Sequence, residues 1–231
     1  MQNIIVATIK EWNISNYFYL KQTFLNQYNF HLISCKEELT IETIRSLKPL
    51  YIFFPHWSWI IPSQIYKNYN CIVFHMTDLP FGRGGSPLQN LIIRGMKETK
   101  ISAIEVEKDL DSGSIYMQEN LDISSGSAQD IFINFSHCVF KKMIPFIIEN
   151  KPEKKEQFGK IVTFNRRTPE QSNILKLKNP TLLKIYDFIR MLDAPSYPKA
   201  YLYLETFKIE LSKVDLKDGK LIGKFEVLKD E

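Results

Sequence analysis

The sequence predicts an α/β fold with a mostly parallel sheet and a small β-rich region near its C-terminal end. Short β-branched runs alternate with helix-like segments over the first half of the 231 residues, a pattern typical of parallel sheets covered by helices. Hydrophobic residues make up 44% of the chain and charged residues 24%, as in ordinary globular domains. Three β-like runs after residue 200, two of them joined at Asp218-Gly219, predict the β-rich region.

The first half of the chain predicts four strands and two helices. Apolar runs bounded by turn residues predict strands, and apolar residues at helical spacing predict helices. Thr40 precedes the second helix as its expected N-cap. In chain order the predicted elements are a strand at 4–7, a helix at 15–28, a strand at 30–34, a helix at 41–47 and strands at 51–54 and 71–75.

The second half predicts a long helix and several shorter elements. Ser127 is the expected N-cap of the long helix, and Asp130 in its first turn suits the helix dipole. The predicted elements are helices at 88–95, 127–148 and 186–192 and strands at 102–107, 114–118, 200–204, 207–211 and 221–227.

Charge and cysteine usage narrow the class of protein. A net charge of +4, from 30 basic and 26 acidic residues, is far from the clustered basic stripe of nucleic-acid-binding proteins and suits an anionic small substrate. Cys35, Cys71 and Cys138 lack CxxC spacing, so neither a disulfide framework nor a zinc site is predicted, and no other metal site is. The first residues turn polar too early for a signal peptide, and no segment approaches the ~20 apolar residues of a membrane span. We therefore expect a cytoplasmic protein with no membrane partner.

His75 is the strongest catalytic candidate because it ends a buried strand, and sites in open α/β sheets form at such ends. A neutral imidazole there can act as a base or a hydrogen-bond donor. The loop 79–87 follows with three Gly and two Pro, so its backbone can approach a ligand closely, while Arg83 supplies a cation. This loop has neither GxGxxG spacing nor a GK[ST] ending, so it is weak as a nucleotide motif. In the turn that follows residue 107, Asp109 and Asp111 can reach over a strand end, although such charges are usually only solvated.

Four segments together resemble one known family. The run HMTDLPFGRGGSPLQ at 75–89 resembles the H-x-S-L-L-P-x-x-R-G-x-x-P-x-Q segment of the formyltransferases that use N10-formyltetrahydrofolate. The run DLDSG at 109–113 is similar to that family's G-L-D-T-G turn, and WIIP at 59–62 to its L-I-L-P strand end. The run RTPEQS at 167–172 is similar to the R-x-P-E-D-S segment just past its catalytic domain.

The resemblance implies a Rossmann-like formyltransferase domain, which we expect at residues 1–175, followed by a short helix and β-hairpin region at 176–231. It implies that His75 and Asp111 are the catalytic residues, flanking the formyl carbon of the donor N10-formyltetrahydrofolate. Because backbone groups can match the hydrogen-bonding edge of a pterin, we expect the donor to lie along two segments. The residues expected to bind it are Trp59, Ile60, Ile61, Pro62, Ile104, Glu107 and Leu110.

One position departs from the family pattern. The family carries an Asn two residues before the His, where it helps to stabilise the oxyanion, and Val73 stands there in this chain. Loss of one such donor typically costs ~10²–10³ in rate. Thr77 is a candidate substitute. Either the Val73 side chain points into the core, or it faces the folate and an Asn there would restore the donor.

The resemblance also bears on which molecule accepts the formyl group. Chains of the tRNA branch carry a full C-terminal β-barrel, so a tail of about forty residues favours an amino sugar on a nucleotide. The residue sequence of the His75 loop is similar to that of formyltransferases of nonulosonic (pseudaminic-type) acid pathways. This similarity implies that the acceptor is a UDP-4-amino-4,6-dideoxy-N-acetylhexosamine. Methionyl-tRNA formylation and a non-catalytic sugar-nucleotide or folate-binding relative remain alternatives, and a homodimer stays open. Residues offered for diphosphate, uracil or sugar contacts are Lys10, Trp12, Thr77, Arg83, Gly84, Gly85 and Arg94, with Trp57 as a second stacking surface.

Overall fold

The computed structural model describes residues 1–229, whose backbone contacts divide them into two compact units. The first unit comprises Met1–Arg83, Lys100–Leu121 and Ile133–Thr163. The second comprises Gly84–Thr99, Asp122–Phe132 and the described residues from 164 onward. Each unit is therefore assembled from three separate segments of chain. The division of the sequence at residue 175 stays a prediction.

The central sheet is mainly parallel, as predicted. The strands up to residue 164 are β1 (Gln2–Ala7), β2 (Tyr28–Ile33), β3 (Tyr51–Phe54), β4 (Cys71–His75), β5 (Phe81–Gly84), β6 (Glu98–Glu105), β7 (Ile115–Asp122) and β8 (Val162–Phe164). Six of them form one sheet in the order β2-β1-β3-β4-β6-β7. Strands β1 to β4 pair in parallel, whereas β6 runs antiparallel to β4. The carboxyl ends of β1, β3 and β4 therefore lie at one edge, where sites form in such sheets.

The helices are α1 (Glu11–Thr23), α2 (Ile41–Leu47), α3 (Ser63–Tyr66), α4 (Pro87–Ile92), α5 (Ala128–Cys138), α6 (Ile144–Asn150) and α7 (Leu182–Arg190). The predicted cap of α2 is confirmed, because the side chain of Thr40 accepts a hydrogen bond from the Thr43 amide. Helix α1 begins four residues before its predicted start, and α7 begins at Leu182 because Thr181 caps it.

The core of the first unit explains why its strands are continuous apolar runs. Residues 4–7 of β1 and 52–53 of β3 are completely buried, as expected for parallel strands covered on both faces. On one face, Ile5, Ile44 and Ile65 belong to an apolar cluster contributed by β1, α2 and α3.

The loop after His75 is more regular than predicted. Its residues Phe81–Gly84 form β5, which pairs with β8. This pairing was missed because the partner strand lies about eighty residues further along the chain. The Leu79-Pro80 peptide bond just before β5 is cis.

The second unit contains the predicted β-rich region as a three-stranded antiparallel sheet, in which β10 (Phe207–Lys217) lies between β9 (Ala200–Leu204) and β11 (Lys220–Lys229). A buried ion pair anchors α7: Arg190 Nε donates to Asp187 Oδ1 at 2.7 Å. The remaining guanidinium nitrogens of Arg190 donate to the backbone carbonyls of Ile123 and Gly126. The buried charges are thus paired, and each guanidinium nitrogen has a hydrogen-bond acceptor.

One helical stretch is long and apolar enough to span a membrane by length and composition. It runs over Ala128–Asn150 and includes the π-helical segment Val139–Met143. The expectation that no segment approaches this length was wrong for this stretch. Of the most apolar 18 residues of this helix, 56% are buried inside the fold. The apolar side chains of the helix are therefore those of a core helix.

Candidate active site

His75 is the last residue of β4 and is 8% exposed. Its Nε2 lies 2.8 Å from the carbonyl oxygen of Gly82, and its Nδ1 lies 3.4 Å from Asp111 Oδ2. A carbonyl can only accept, so Nε2 carries a proton and donates it to Gly82. In the neutral ring Nδ1 is then an unprotonated nitrogen that faces a carboxylate, which is the arrangement of a base whose charged form has a counter-ion.

Asp111 reaches His75 because of the unusual backbone of its turn. The residue has a φ of 53°, in the left-handed region that Asp tolerates better than most residues. Two positions later, a Cβ on Gly113 would overlap the carbonyl oxygen of Glu105, so only glycine fits there. The sequence therefore brings the two predicted catalytic residues together through a turn that needs both a short polar side chain and a glycine.

Gln157 holds this turn in place and was missed by sequence reasoning. Its Nε2 donates to the carbonyl oxygens of Asp111 at 2.8 Å and Gly113 at 2.9 Å. Its Oε1 accepts from Nε and Nη2 of Arg83 at 3.0 and 2.7 Å. Gln157 lies near a charged stretch with no motif, so nothing in the sequence pointed to it. Arg83 was predicted to contact a diphosphate, but two of its guanidinium nitrogens donate hydrogen bonds to Gln157 instead.

Thr77 is completely buried behind His75. Its hydroxyl donates to the Gly82 carbonyl at 3.4 Å, the same acceptor that His75 uses. Its own carbonyl accepts from Ser102 Oγ at 2.7 Å, and Gln118 donates to that hydroxyl in turn. Thr77 is thus part of a network that fixes the Gly82 carbonyl, and its role toward an oxyanion or substrate stays a prediction.

Val73 shares a sheet face with His75, because residues two apart on a strand point the same way. Its side chain is partly buried and packs against the apolar cluster that contains Ile5 and Ile44. This placement favours the core alternative for the position of the family Asn.

The residues predicted to bind the donor lie in two segments of the first unit. Within residues 1–229, the backbone groups of Trp59–Ile61 make no hydrogen bond to other protein groups. The side chains of Ile60 and Leu110 are 93% and 71% exposed, and Glu107 is exposed as well, whereas Ile104 is buried in β6. Unpaired backbone donors and acceptors beside exposed apolar side chains suit a flat heterocycle with a polar edge, so these residues fit a pterin.

Lys10 and Trp12 follow β1, and His56 follows β3, so all three lie at the carboxyl edge of the sheet. Lys10 Nζ lies 5.8 Å from the centre of the Trp12 ring, which meets His56 edge-on at 6.1 Å. Burial lowers the pKa of Lys10. Trp57, the alternative stacking surface, packs against Trp59 at 4.9 Å. Trp12 and Trp57 are both partly buried, so each ring serves packing as well as any ligand.

The remaining predicted substrate residues, Gly84, Gly85 and Arg94, belong to the second unit. A Cβ on Gly85 would come within 2.6 Å of the Arg166 Cα, so this glycine is needed for the close approach of two backbone segments. Arg94 lies over the Phe164 ring at 4.5 Å and donates to the Asn90 carbonyl at 2.7 Å. Gly85 therefore has a structural reason that the sequence did not reveal.

Several known proteins are similar to this chain. It is 31% identical over 147 residues to the methionyl-tRNA formyltransferase of Campylobacter lari, a match covering 63% of this chain and 48% of that protein. The chain thus spans about half the length of the curated relatives it matches. A solved methionyl-tRNA formyltransferase from Clostridium thermocellum is 48% identical, with a TM-score of 0.95, over 99% of this chain and 100% of that one. A sugar N-formyltransferase from Shewanella sp. has the same fold, with 17% identity, a TM-score of 0.72 and coverage of 100% and 98%.

Two family models also match. The model described as "Methionyl-tRNA formyltransferase, C-terminal domain" matches residues 169–228. The model described as "Formyl transferase" matches residues 15–137, which include His75, Asp111 and most of the first unit's sheet. Because the second match covers more than half of the chain and agrees with the motifs at 75–89 and 109–113, the chain belongs to the formyl transferase family.

Proposed function

We propose that this protein transfers a formyl group from N10-formyltetrahydrofolate to the amine of a nucleotide-linked amino sugar. The observation that carries the transfer chemistry is the His75–Asp111 pair, with Nδ1 and Oδ2 3.4 Å apart at the carboxyl end of β4. Bound donor supplies a formyl carbon to be attacked by an amine. The protein must then manage the amine proton and the charge that builds up on the formyl oxygen.

Both tasks can be assigned to this pair. Nδ1 of His75 takes up the amine proton as the new C–N bond forms and passes it to the donor nitrogen, whose bond to the formyl carbon breaks. Asp111 balances the charge of the imidazolium, and the imidazolium offsets the charge that builds up on the formyl oxygen. The Gly82 carbonyl fixes the ring through Nε2, so the proton is held at a defined position. Preorganised groups of this kind act without having to reorient during the reaction.

Trp59–Pro62 and the segment from Ile104 to Leu110 would hold the donor. Their support is the unpaired backbone of Trp59–Ile61 and the exposed Ile60 and Leu110 described above. The family resemblance implies this donor, and HypX from Aquifex aeolicus, which shares the fold at 16% identity and a TM-score of 0.69, was solved with tetrahydrofolic acid.

Two molecules are candidates for the acceptor of the formyl group. The His75 loop sequence supports a UDP-4-amino-4,6-dideoxy-N-acetylhexosamine, and a net charge of +4 gives little electrostatic attraction for RNA. Methionyl-tRNA is the second candidate, because the relatives with 31% and 48% identity carry that name. We also propose a cytoplasmic location, without a membrane partner.

A competition assay separates these candidates. The protein is mixed with N10-formyltetrahydrofolate and either a UDP-4-amino sugar or methionyl-tRNA, and release of tetrahydrofolate is followed. We expect turnover with the sugar that exceeds turnover with methionyl-tRNA at least tenfold in kcat/KM. Preference for methionyl-tRNA would replace the acceptor while keeping the transfer. Binding of donor and sugar without any turnover would instead indicate the non-catalytic relative.

A homodimer is a further proposal, supported by apolar side chains left uncovered on the C-terminal sheet. On β11, Ile222, Phe225 and Val227 are 60%, 68% and 54% exposed. Light scattering would test it: wild type should have twice the mass of the chain, and Phe225→Lys should shift the mass toward the monomer. A wild-type mass of one chain would rule the dimer out.

A further inference from the structure

The second unit contains a cavity that the proposed transfer does not explain. Its volume is about 650 Å³, within the range of ~300–1,000 Å³ typical of small-molecule sites. Three segments line it: residues 92–97 at and after the end of α4, residues 167–178, and residues 181–188, most of which belong to α7. We call it the basic cavity. Of its residues only Arg94 was a predicted substrate contact.

Its lining carries a large excess of positive charge. Asp187, its only acidic residue, is already paired with Arg190 at 2.7 Å and with Lys97 at 3.4 Å. Lys176 and Lys178 make no ion pair with any residue among 1–229. The basic side chains that line the cavity are Arg94, Lys97, Arg167, Lys176, Lys178 and Lys184. Six basic side chains and one carboxylate repel one another on balance, so a multiply charged anion would stabilise this arrangement.

Arg167 offers an unused hydrogen-bond donor at this cavity. Its Nη2 donates to the Gln171 carbonyl at 2.6 Å, and its backbone amide donates to Ser86 Oγ at 3.0 Å, so the residue is held firmly. Its Nε is buried and has no hydrogen-bond partner among the described residues. A buried donor without a partner destabilises the folded state unless a ligand supplies an acceptor, and guanidinium N–H groups suit phosphate oxygens in particular.

Part of the lining is apolar. Ile92 and Phe188 are 1% and 4% exposed and form a fixed wall, while Leu177 adds a partly buried side chain. The guanidinium of Arg167 lies 5.9 Å from the centre of the Phe188 ring. An apolar wall next to a cationic rim fits a ligand that has both a ring and an anionic group.

We infer that the basic cavity binds an organic phosphate of the nucleoside diphosphate class, with the phosphates among the lysines and Arg167 and the ring against Ile92 and Phe188. A diphosphate carries several negative charges, which balance the cations of the lining. A ring provides apolar surface that can pack against the apolar side chains. A recess of this volume encloses one nucleotide, whereas a nucleic acid would need an extended basic groove. The inference concerns binding alone and does not depend on formyl transfer.

Isothermal titration of the full chain with UDP tests it. Lys176→Glu/Lys178→Glu should weaken UDP binding at least tenfold, since two charges beside the phosphates are reversed. Lys220→Glu/Lys224→Glu, with the same charge change on exposed positions of β11, should leave the Kd within twofold of wild type. Leu177→Trp should also weaken binding at least tenfold by filling the cavity. Circular dichroism confirms that each variant is folded.

UDP could also bind at an acceptor site near His75, so a second measurement locates it. Photo-crosslinking with 5-azido-UDP should label peptides containing residues 92–97 or 167–188. Labelling confined to the region of Lys10 and Trp12 would overturn the inference. So would an unchanged UDP affinity in Lys176→Glu/Lys178→Glu, inorganic phosphate binding as tightly as UDP, or a short RNA binding where UDP does not. His75→Gln should keep the labelling of the basic cavity even if formyl transfer is lost, so the two proposals fail separately.

Discussion

His75 has a hydrogen-bond acceptor beside each ring nitrogen, the Gly82 carbonyl at Nε2 and Asp111 at Nδ1. The carbonyl fixes the tautomer and the carboxylate provides the counter-charge, so the two partners divide orientation and electrostatics between them. Both side chains are about nine-tenths buried, at 9% and 11% exposure. Substitutions that keep their shape therefore test chemistry better than truncations.

We expect His75→Gln and Asp111→Asn each to lower kcat for formyl transfer by ~10²–10⁴, the usual cost of losing a proton-transfer group. Steady-state kinetics with the sugar acceptor measure this. His137→Gln, at an exposed position of α5, is the control and should keep wild-type kcat. A His75 or Asp111 variant that retains more than about a tenth of wild-type kcat would contradict the assigned roles.

Val73 tests how far the family pattern extends. Because its side chain packs against the apolar cluster, Val73→Asn should place an amide without partners there and lower the free energy of unfolding by ~1–3 kcal/mol. Val73→Leu, with nearly the same shape as Asn, separates this polar cost from the cost of added volume. Urea unfolding of both variants gives the difference. A Val73→Asn protein that is as stable as Val73→Leu and faster than wild type would show that the position faces the folate.

At the scale of elements, the turn at 109–113 is where the backbone creates the site. Asp111 has a positive φ, Gly113 lies against the Glu105 carbonyl, and Gln157 holds both carbonyls of the turn. The strand end that carries His75 is held within the sheet, because His75 itself pairs with Ser102 of β6. The distance between the catalytic pair therefore depends chiefly on the turn.

Gly113→Ala should disrupt this turn, because the new Cβ would overlap a backbone oxygen that cannot rotate away. We expect kcat to fall at least tenfold and the thermal midpoint to fall by several degrees, in line with ~1–3 kcal/mol of strain. Differential scanning calorimetry and kinetics measure the two effects. Ser112→Ala, which removes only the hydrogen bond to the Asp109 carbonyl, should change both much less. Wild-type kcat in Gly113→Ala would mean that the turn does not position Asp111.

At the scale of the whole molecule, His56 couples stability to pH. Burial, and next the positive charge of Lys10, lower the pKa of His56 to about 3. Between that value and the ordinary value of 6.5, the unfolded chain takes up a proton that the folded chain does not. The stabilising contribution is therefore complete above pH 6.5 and is lost as pH falls toward 3.

His56→Asn removes this titration and keeps a residue type suited to the φ of 54° at this position. Between pH 6.5 and about pH 5.5, the free energy of unfolding of wild type should fall by about 1 kcal/mol more than that of the variant. Urea unfolding at the two pH values measures the difference. Parallel pH dependence in the two proteins would show that His56 is not buried as a neutral ring.

The residue pattern predicts most strands and helices in the right order, because periodicities and the Thr40 cap are local properties, but it misses α3, β5 and β8. It also placed His75 at a strand end and Asp111 in a turn. The packed chain shows in addition that Gln157 holds this turn, that Phe81–Gly84 pairs with β8, and that six cations gather around one cavity. These features join residues far apart in the chain, and no local pattern encodes a long-range contact. The same holds for Thr77, which was predicted to contact a ligand. Its burial results from the packing of β4, β5 and β6, which no local pattern shows.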